Sequence, residues 1–226
     1  MVGIQDDFLE KGGLADSMGY VVTLLNDIVL QCRLFLYAVL LAGFFILHTR
    51  EGYRPDQSDA APAKLNRSHK KTFIGTPSPL GRVLVRGEKG HDIIPELNPL
   101  PGEPGVDMPG HGAFYATDLD LILRNKKIKN LVICGVVTEI CVHSTVREAK
   151  DHGYACLVLE DGVGSYSSEF QQVGLEMIKT QSGLLGKVSN SKAFIRALNC
   201  TSYEFPPPGG LTSQHIYSKR IGCNSY

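Results

Sequence analysis

Leu131-Val132-Ile133-Cys134-Gly135-Val136-Val137-Thr138-Glu139-Ile140-Cys141-Val142 is the stretch whose reading decides the fold. An apolar run of strand length, a glycine suited to a tight turn and a following helical segment predict a buried strand, a turn and a helix. Cys141 falls in the first turn of that helix, where backbone N–H groups lack intrahelical acceptors and the helix dipole is positive. Both effects favour a thiolate, so the position suits a nucleophile. A buried cysteine serving as a small apolar filler is the competing reading, and the local context leaves both open.

Outward from this unit the chain alternates. Apolar runs ending at Leu47, Val85, Cys134 and Leu159 predict strands, the first of them Phe44–Leu47. Residues 23–42, 117–126, 140–151, 167–181 and 190–198 predict helices. Alternation with fully apolar strands implies α/β architecture, a three-layer α/β/α sandwich around a mainly parallel sheet with Rossmann-like winding. Ligands in such sheets collect at the carboxyl ends of the strands, the edge on which Cys141 follows strand 131–134. One domain over residues 1–198 is expected, with 199–226 a flexible C-terminal tail. The opening MVGIQDDF leaves only a few residues for a first strand, which reads as truncated.

Lys plus Arg and Asp plus Glu balance at 23 each, so neither a nucleic acid nor an acidic membrane surface is an expected partner. The six cysteines show no CxxC pair or spacing that marks a disulfide framework or zinc site, and cysteines inside apolar strands fit a reducing cytoplasm. No secretory signal pattern is visible. Leu34–Leu47 is uncharged but shorter than the ~20 residues that span a bilayer. Residues 34–42 are apolar nearly all round, which predicts cover by a second subunit and hence a homo-oligomer, a dimer or tetramer. The polar connection 50–80 has the length of an active-site lid or insertion, with Lys70 and Lys71 read as solvated charges, and the stretch 95–112, dense in Pro and Gly, reads as a second loop.

Four segments carry a resemblance to the isochorismatase-like cysteine hydrolases: Gln5-Asp6-Asp7-Phe8, HTREGYRPD at 48–56, PGHGAFYATDLDLILR at 109–124 and GVVTEICVHSTVREAKDHGY at 135–154. Within that family the chain looks closest to amidohydrolases acting on biuret-like and ureido substrates. The resemblance implies hydrolysis of a C–N bond in a small linear amide: a cysteine attacks the carbonyl, an aspartate moves the proton, and a lysine stabilises the thiolate. It also implies a cis peptide at Val136–Val137 and an oxyanion hole built from backbone N–H groups around Val136, Val137 and Cys141.

Mapped onto this chain, the nucleophile is Cys141, but the family aspartate falls on Gly3 and the family lysine on Met108. Asp6 and Asp7 are near Gly3 in sequence, but Asp6 faces the opposite side of an extended strand, as Asp107 does beside Met108, and none of them is an obvious substitute. Loss of a general base typically costs about 10²–10⁴-fold in rate, and loss of the lysine should let the thiol drift toward its ordinary pKa of about 8.5. Weak or lost turnover is therefore expected, and the alternative is a non-catalytic binding or scaffold protein. The same mapping makes Gln181 and Phe8 substrate-binding residues, with capping and core roles as their structural alternatives. His48, His111 and His143 form no metal-ligand pattern, so no metal and no cofactor are expected. Thr138 and Glu139 are read as groups favouring the helix N-terminus.

Overall fold

The computed structural model describes residues 1–65 and 73–200. Lys70, Lys71 and the expected tail from residue 201 onward lie outside the described residues. In chain order the elements are α1 (Asp6–Leu9), α2 (Leu14–Ser17), α3 (Asn26–Leu41), β1 (His48–Glu51), α4 (Pro62–Leu65), β2 (Pro77–Ser78), β3 (Gly81–Arg82) and β4 (Gly105–Met108). There follow α5 (Leu119–Asn125), β5 (Asn130–Val136), α6 (His143–Asp151), β6 (Ala155–Gly164), α7 (Ser168–Gly183), β7 (Lys187–Ser189) and α8 (Ser191–Cys200). The expected α/β/α sandwich is present. β1 pairs with β4 and β5–β6–β7 pair in order, all parallel, while β2 and β3 form a separate hairpin.

The period-2 alternation of the central strands builds the three layers. Val132, Cys134, Leu157 and Leu159 face a core that includes Phe35, Leu36 and Val39 of α3. Ile133, Cys156 and Val158 face the other core, with Leu119 and Leu123 of α5, Val146 of α6 and Ile178 of α7. The two halves of the sheet are joined by the first residues of the chain. Val2 bridges Thr49 on one side and Gly135 on the other, both in parallel sense. Beyond Met1, whose amino group donates to the Leu47 carbonyl at 2.8 Å, an apolar cavity of about 550 Å³ lies between the halves.

Three expectations need correction. Phe44–Leu47 is not a strand, because β4 begins only at Gly105, opposite His48, and residues 44–47 join no ladder among the described residues. The run RVLVRG does not enter the main sheet: Arg82 belongs to the β2–β3 hairpin, Leu84 takes φ +53, and Val85 makes an isolated bridge to Tyr53. Conversely, β4 arises inside the Pro/Gly-rich stretch 95–112, which predicted only a loop.

The helix over 23–42 is present, entered through a 3-10 turn at Val22–Leu25. Val22–Leu41 is long and apolar enough to cross a membrane by length and composition. Its residues Cys32, Phe35, Leu36 and Val39 are nonetheless buried against the sheet, while Leu30, Leu34 and Leu41 are exposed.

Candidate active site

β5 delivers the chain to the carboxyl edge of the sheet. Gly135 is required there: a Cβ on it would stand 1.9 Å from the Val2 carbonyl oxygen. The Val136–Val137 peptide is cis. Thr138–Val142 then forms a single π-helical turn that runs into α6, where the sequence predicted an ordinary helix. Such turns are frequent at functional positions. The turn is tied down from outside: Thr138 Oγ1 donates to Gln171 of α7, and Ser165 donates to Glu139 at 3.0 Å. Thr138 and Glu139 therefore anchor the turn rather than cap the helix.

Cys141 is only 3 % exposed, and its thiol points at Oε2 of Glu51, 4.0 Å away. Glu51 ends β1, the neighbour of both Gly3 and Met108. Gln5 fixes its backbone, accepting from the Glu51 N–H at 2.6 Å and donating to its carbonyl at 2.9 Å. The carboxylate accepts from Tyr53 Oη at 2.9 Å and Lys64 Nζ at 3.3 Å, and His111 Nδ1 stands 3.6 Å away. Lys64, from α4, also donates to Tyr53 Oη at 2.6 Å and to the Pro109 carbonyl at 3.2 Å. Lys64 and His111 line a cavity of about 390 Å³ that also takes in Asp59, Tyr115, Ser144 and Glu148. One layer of side chains thus separates the sulfur from this polar cavity.

The other predicted positions divide. Gly3 lies beside the site, its N–H donating to the Thr49 carbonyl at 3.0 Å. It has φ +65, and a Cβ there would stand 2.5 Å from the Val136 carbonyl oxygen. Met108 is fully buried and sits in register with Glu51 on the adjacent strand. Phe8 is buried against α1's surroundings and near Gly3. Gln181 is exposed, in a left-handed kink at the end of α7 with φ +49, and makes none of the contacts around the sulfur. The glutamine that reaches the turn carrying Cys141 is Gln171.

Asp7 accepts from the Leu84 and Leu14 N–H groups, and Asp107 pairs with Arg50, so both carboxylates are engaged elsewhere than at Cys141. His48 contacts Glu103, and His143 accepts from Arg147. Sequence reasoning missed Glu51, Tyr53 and Lys64. An acidic residue closing a predicted strand at the ligand-bearing edge was the available signal for Glu51; Lys64 offered none.

Burial is the main force pushing the Cys141 thiol well above its ordinary pKa, and the Glu51 carboxylate adds to it; a backbone hydrogen bond with Val137 and the Lys64 ammonium act the other way. Desolvation thus outweighs the helix-terminus effect that the sequence suggested. Burial also opposes ionisation of Glu51, but His111, Lys64 and Tyr53 together hold its pKa below the ordinary value. The resting pair is a neutral thiol beside a carboxylate. Glu51, His111 and Cys141 present donor atoms within 4.8 Å of one another. The Lys64 ammonium already neutralises that carboxylate, which weighs against a metal cation in the same place.

The isochorismatase domain profile matches residues 1–191. The ureidoacrylate amidohydrolase of Pantoea ananatis is 29 % identical over 195 residues, covering 84 % of this chain and 78 % of that protein. A cysteine hydrolase from Pseudomonas syringae pv. phaseolicola superposes with TM-score 0.74 at 23 % identity, covering 88 % of this chain and 91 % of the other. N-carbamoylsarcosine amidase from Thermoplasma acidophilum gives 0.64 at 20 % identity, with 84 % and 93 % covered.

Proposed function

This chain belongs to the isochorismatase family, and we propose that it is a cysteine amidohydrolase cleaving a C–N bond of a small linear amide of the ureido or biuret type. The observation that carries this reading is the placement of Cys141: a sulfur at the carboxyl edge of a parallel sheet, in a tethered π-turn, with a carboxylate 4.0 Å away. The relative that acts on ureidoacrylate supports the substrate class. The polar cavity beyond Lys64 and His111 supports a small, hydrogen-bonding substrate rather than a large apolar one.

The reaction forms a Cys141 thioester with release of the amine, followed by hydrolysis of the thioester. Turnover is expected to be slow, because the family positions for aspartate and lysine hold Gly3 and Met108. The same two residues favour a second reading, a non-catalytic member that binds a ligand or serves as a scaffold. Incubation with biuret, ureidoacrylate and nicotinamide, following ammonia, separates the two. Ammonia from a ureido substrate that disappears in Cys141→Ala supports the hydrolase; no release from any of the three favours the scaffold.

A further inference from the structure

We propose that Glu51 is the proton acceptor of Cys141 and that Lys64 positions it, so that a carboxylate from β1 and an ammonium from α4 take over the roles vacated at residues 3 and 108. The inference rests on the hydrolase reading above and names the groups that would make it work.

The backbone explains why the roles moved. Residue 3 cannot carry a side chain as this chain is folded, since a Cβ would collide with the Val136 carbonyl. Glu51 lies between the two vacated positions: its own strand is bridged through Thr49 to Val2 on one side and paired with Met108 on the other. An acidic side chain there points at the same sulfur from the neighbouring strand. Glu51 makes contacts that suit a base and not merely a buried ion pair. One oxygen, Oε1, takes Tyr53 and Lys64, while Oε2 is left to the thiol and His111. The titratable groups facing the pair are Lys64 and His111 on the cavity side, Asp7 behind Glu51, and Glu139 near the thiol, with the hydroxyls of Tyr53 and Tyr166 alongside.

The step balances without an added cofactor. The thiol proton passes to Glu51 Oε2 as the sulfur bonds to the amide carbon and the carbonyl electron pair moves to oxygen. Collapse of that intermediate breaks the C–N bond, and the nitrogen leaves with the proton from Glu51. Water then attacks the thioester, giving a proton to Glu51. Collapse expels the sulfur, which recovers its proton, and the acid is released.

The test follows iodoacetamide alkylation of Cys141 from pH 5 to 10 by peptide-resolved mass spectrometry, beside ammonia release. In the wild type the proton moves to a neighbouring carboxylate rather than to solvent, so alkylation should show a pH-independent arm around neutrality. Glu51→Gln should abolish that arm, leaving a rate that climbs about tenfold per pH unit, and should lower turnover about 10²–10⁴-fold. Were Glu51 only a negative neighbour, Glu51→Gln would acidify the thiol and speed alkylation at pH 7; that result overturns the proposal. Glu51→Asp keeps the carboxylate and should retain the arm at a reduced rate, so the question remains answerable if the glutamine variant misfolds. Loss of the arm in a folded Glu51→Asp protein also counts against it.

Lys64→Met should move the acid limb of the arm to higher pH, because the carboxylate loses its cation. An unmoved limb removes Lys64 from the account. Turnover lost in Cys141→Ala but kept in Glu51→Gln leaves the hydrolase standing and the inference wrong. An alkylation arm that depends on Glu51, without any ammonia release, does the reverse.

Discussion

Restoring the family aspartate by Gly3→Asp should destabilise this protein and leave it no more active. Gly3 has φ +65, a region that costs an L-residue about 1–2 kcal/mol. The new Cβ would begin 2.5 Å from the Val136 carbonyl oxygen, backbone against backbone, so one segment must move. The segment is held by Gly3 N–H to Thr49 at 3.0 Å and Val136 N–H to Val2 at 2.9 Å. Each such bond is worth about 0.5–1.5 kcal/mol net. Losing both along with the conformational cost gives about 2–5 kcal/mol, which in a domain of this size lowers Tm by about 4–20 °C. Gly3→Ala should show most of the same loss, since the cost belongs to the Cβ and the backbone rather than the charge. Thermal melts by circular dichroism measure it, and ammonia release is followed in parallel. A Gly3→Asp protein melting within about 2 °C of the wild type and turning over faster would refute the reasoning, since it would mean that the opening strand accepts a side chain.

Asp6 has its pKa raised to about 6, mainly by burial and then by Glu10. A folded value above the unfolded one means that ionised Asp6 opposes folding above about pH 6, and that this opposition fades as pH falls toward about 4. Asp6→Asn should therefore raise Tm at pH 8 and lose that advantage near pH 4 in paired melts. Gln171→Leu removes the acceptor of Thr138 and the donor to the Val163 carbonyl at 3.0 Å. It should cost about 1–3 kcal/mol, read by urea unfolding, and lower kcat more than it raises KM, because it loosens the turn that aims Cys141. A homo-oligomer is expected from the exposed Leu30, Leu34 and Leu41 on α3. Leu34→Lys should then reduce the mass found by light scattering, and an unchanged mass would place the contact elsewhere.

Much of the framework was legible because it is local. A buried run, a glycine and an amphipathic segment specify strand, turn and helix wherever they occur, so β5, α6, β6 and α7 follow from residue order, and with them the edge on which Cys141 stands. The runs Phe44–Leu47 and RVLVRG show where that logic ends. Both have strand composition, yet a strand forms only where another backbone offers a ladder: β4 pairs with the chain only from His48 onward, and RVLVRG finds a two-residue hairpin at Arg82 and a single bridge at Val85.

What the sequence determined by itself was the family, the strand–turn–helix that carries Cys141, and the presence of Gly3 and Met108 where the resemblance implies an aspartate and a lysine. What only the tertiary structure decided was which groups stand beside the sulfur. Glu51 lies 90 residues from Cys141 and reaches it across the sheet, and Lys64 joins from a short helix in a polar loop. No spacing rule encodes such a meeting. Parallel strands bring distant segments into register through crossovers, and the direction of each side chain at the shared edge is fixed only when the whole sheet is assembled.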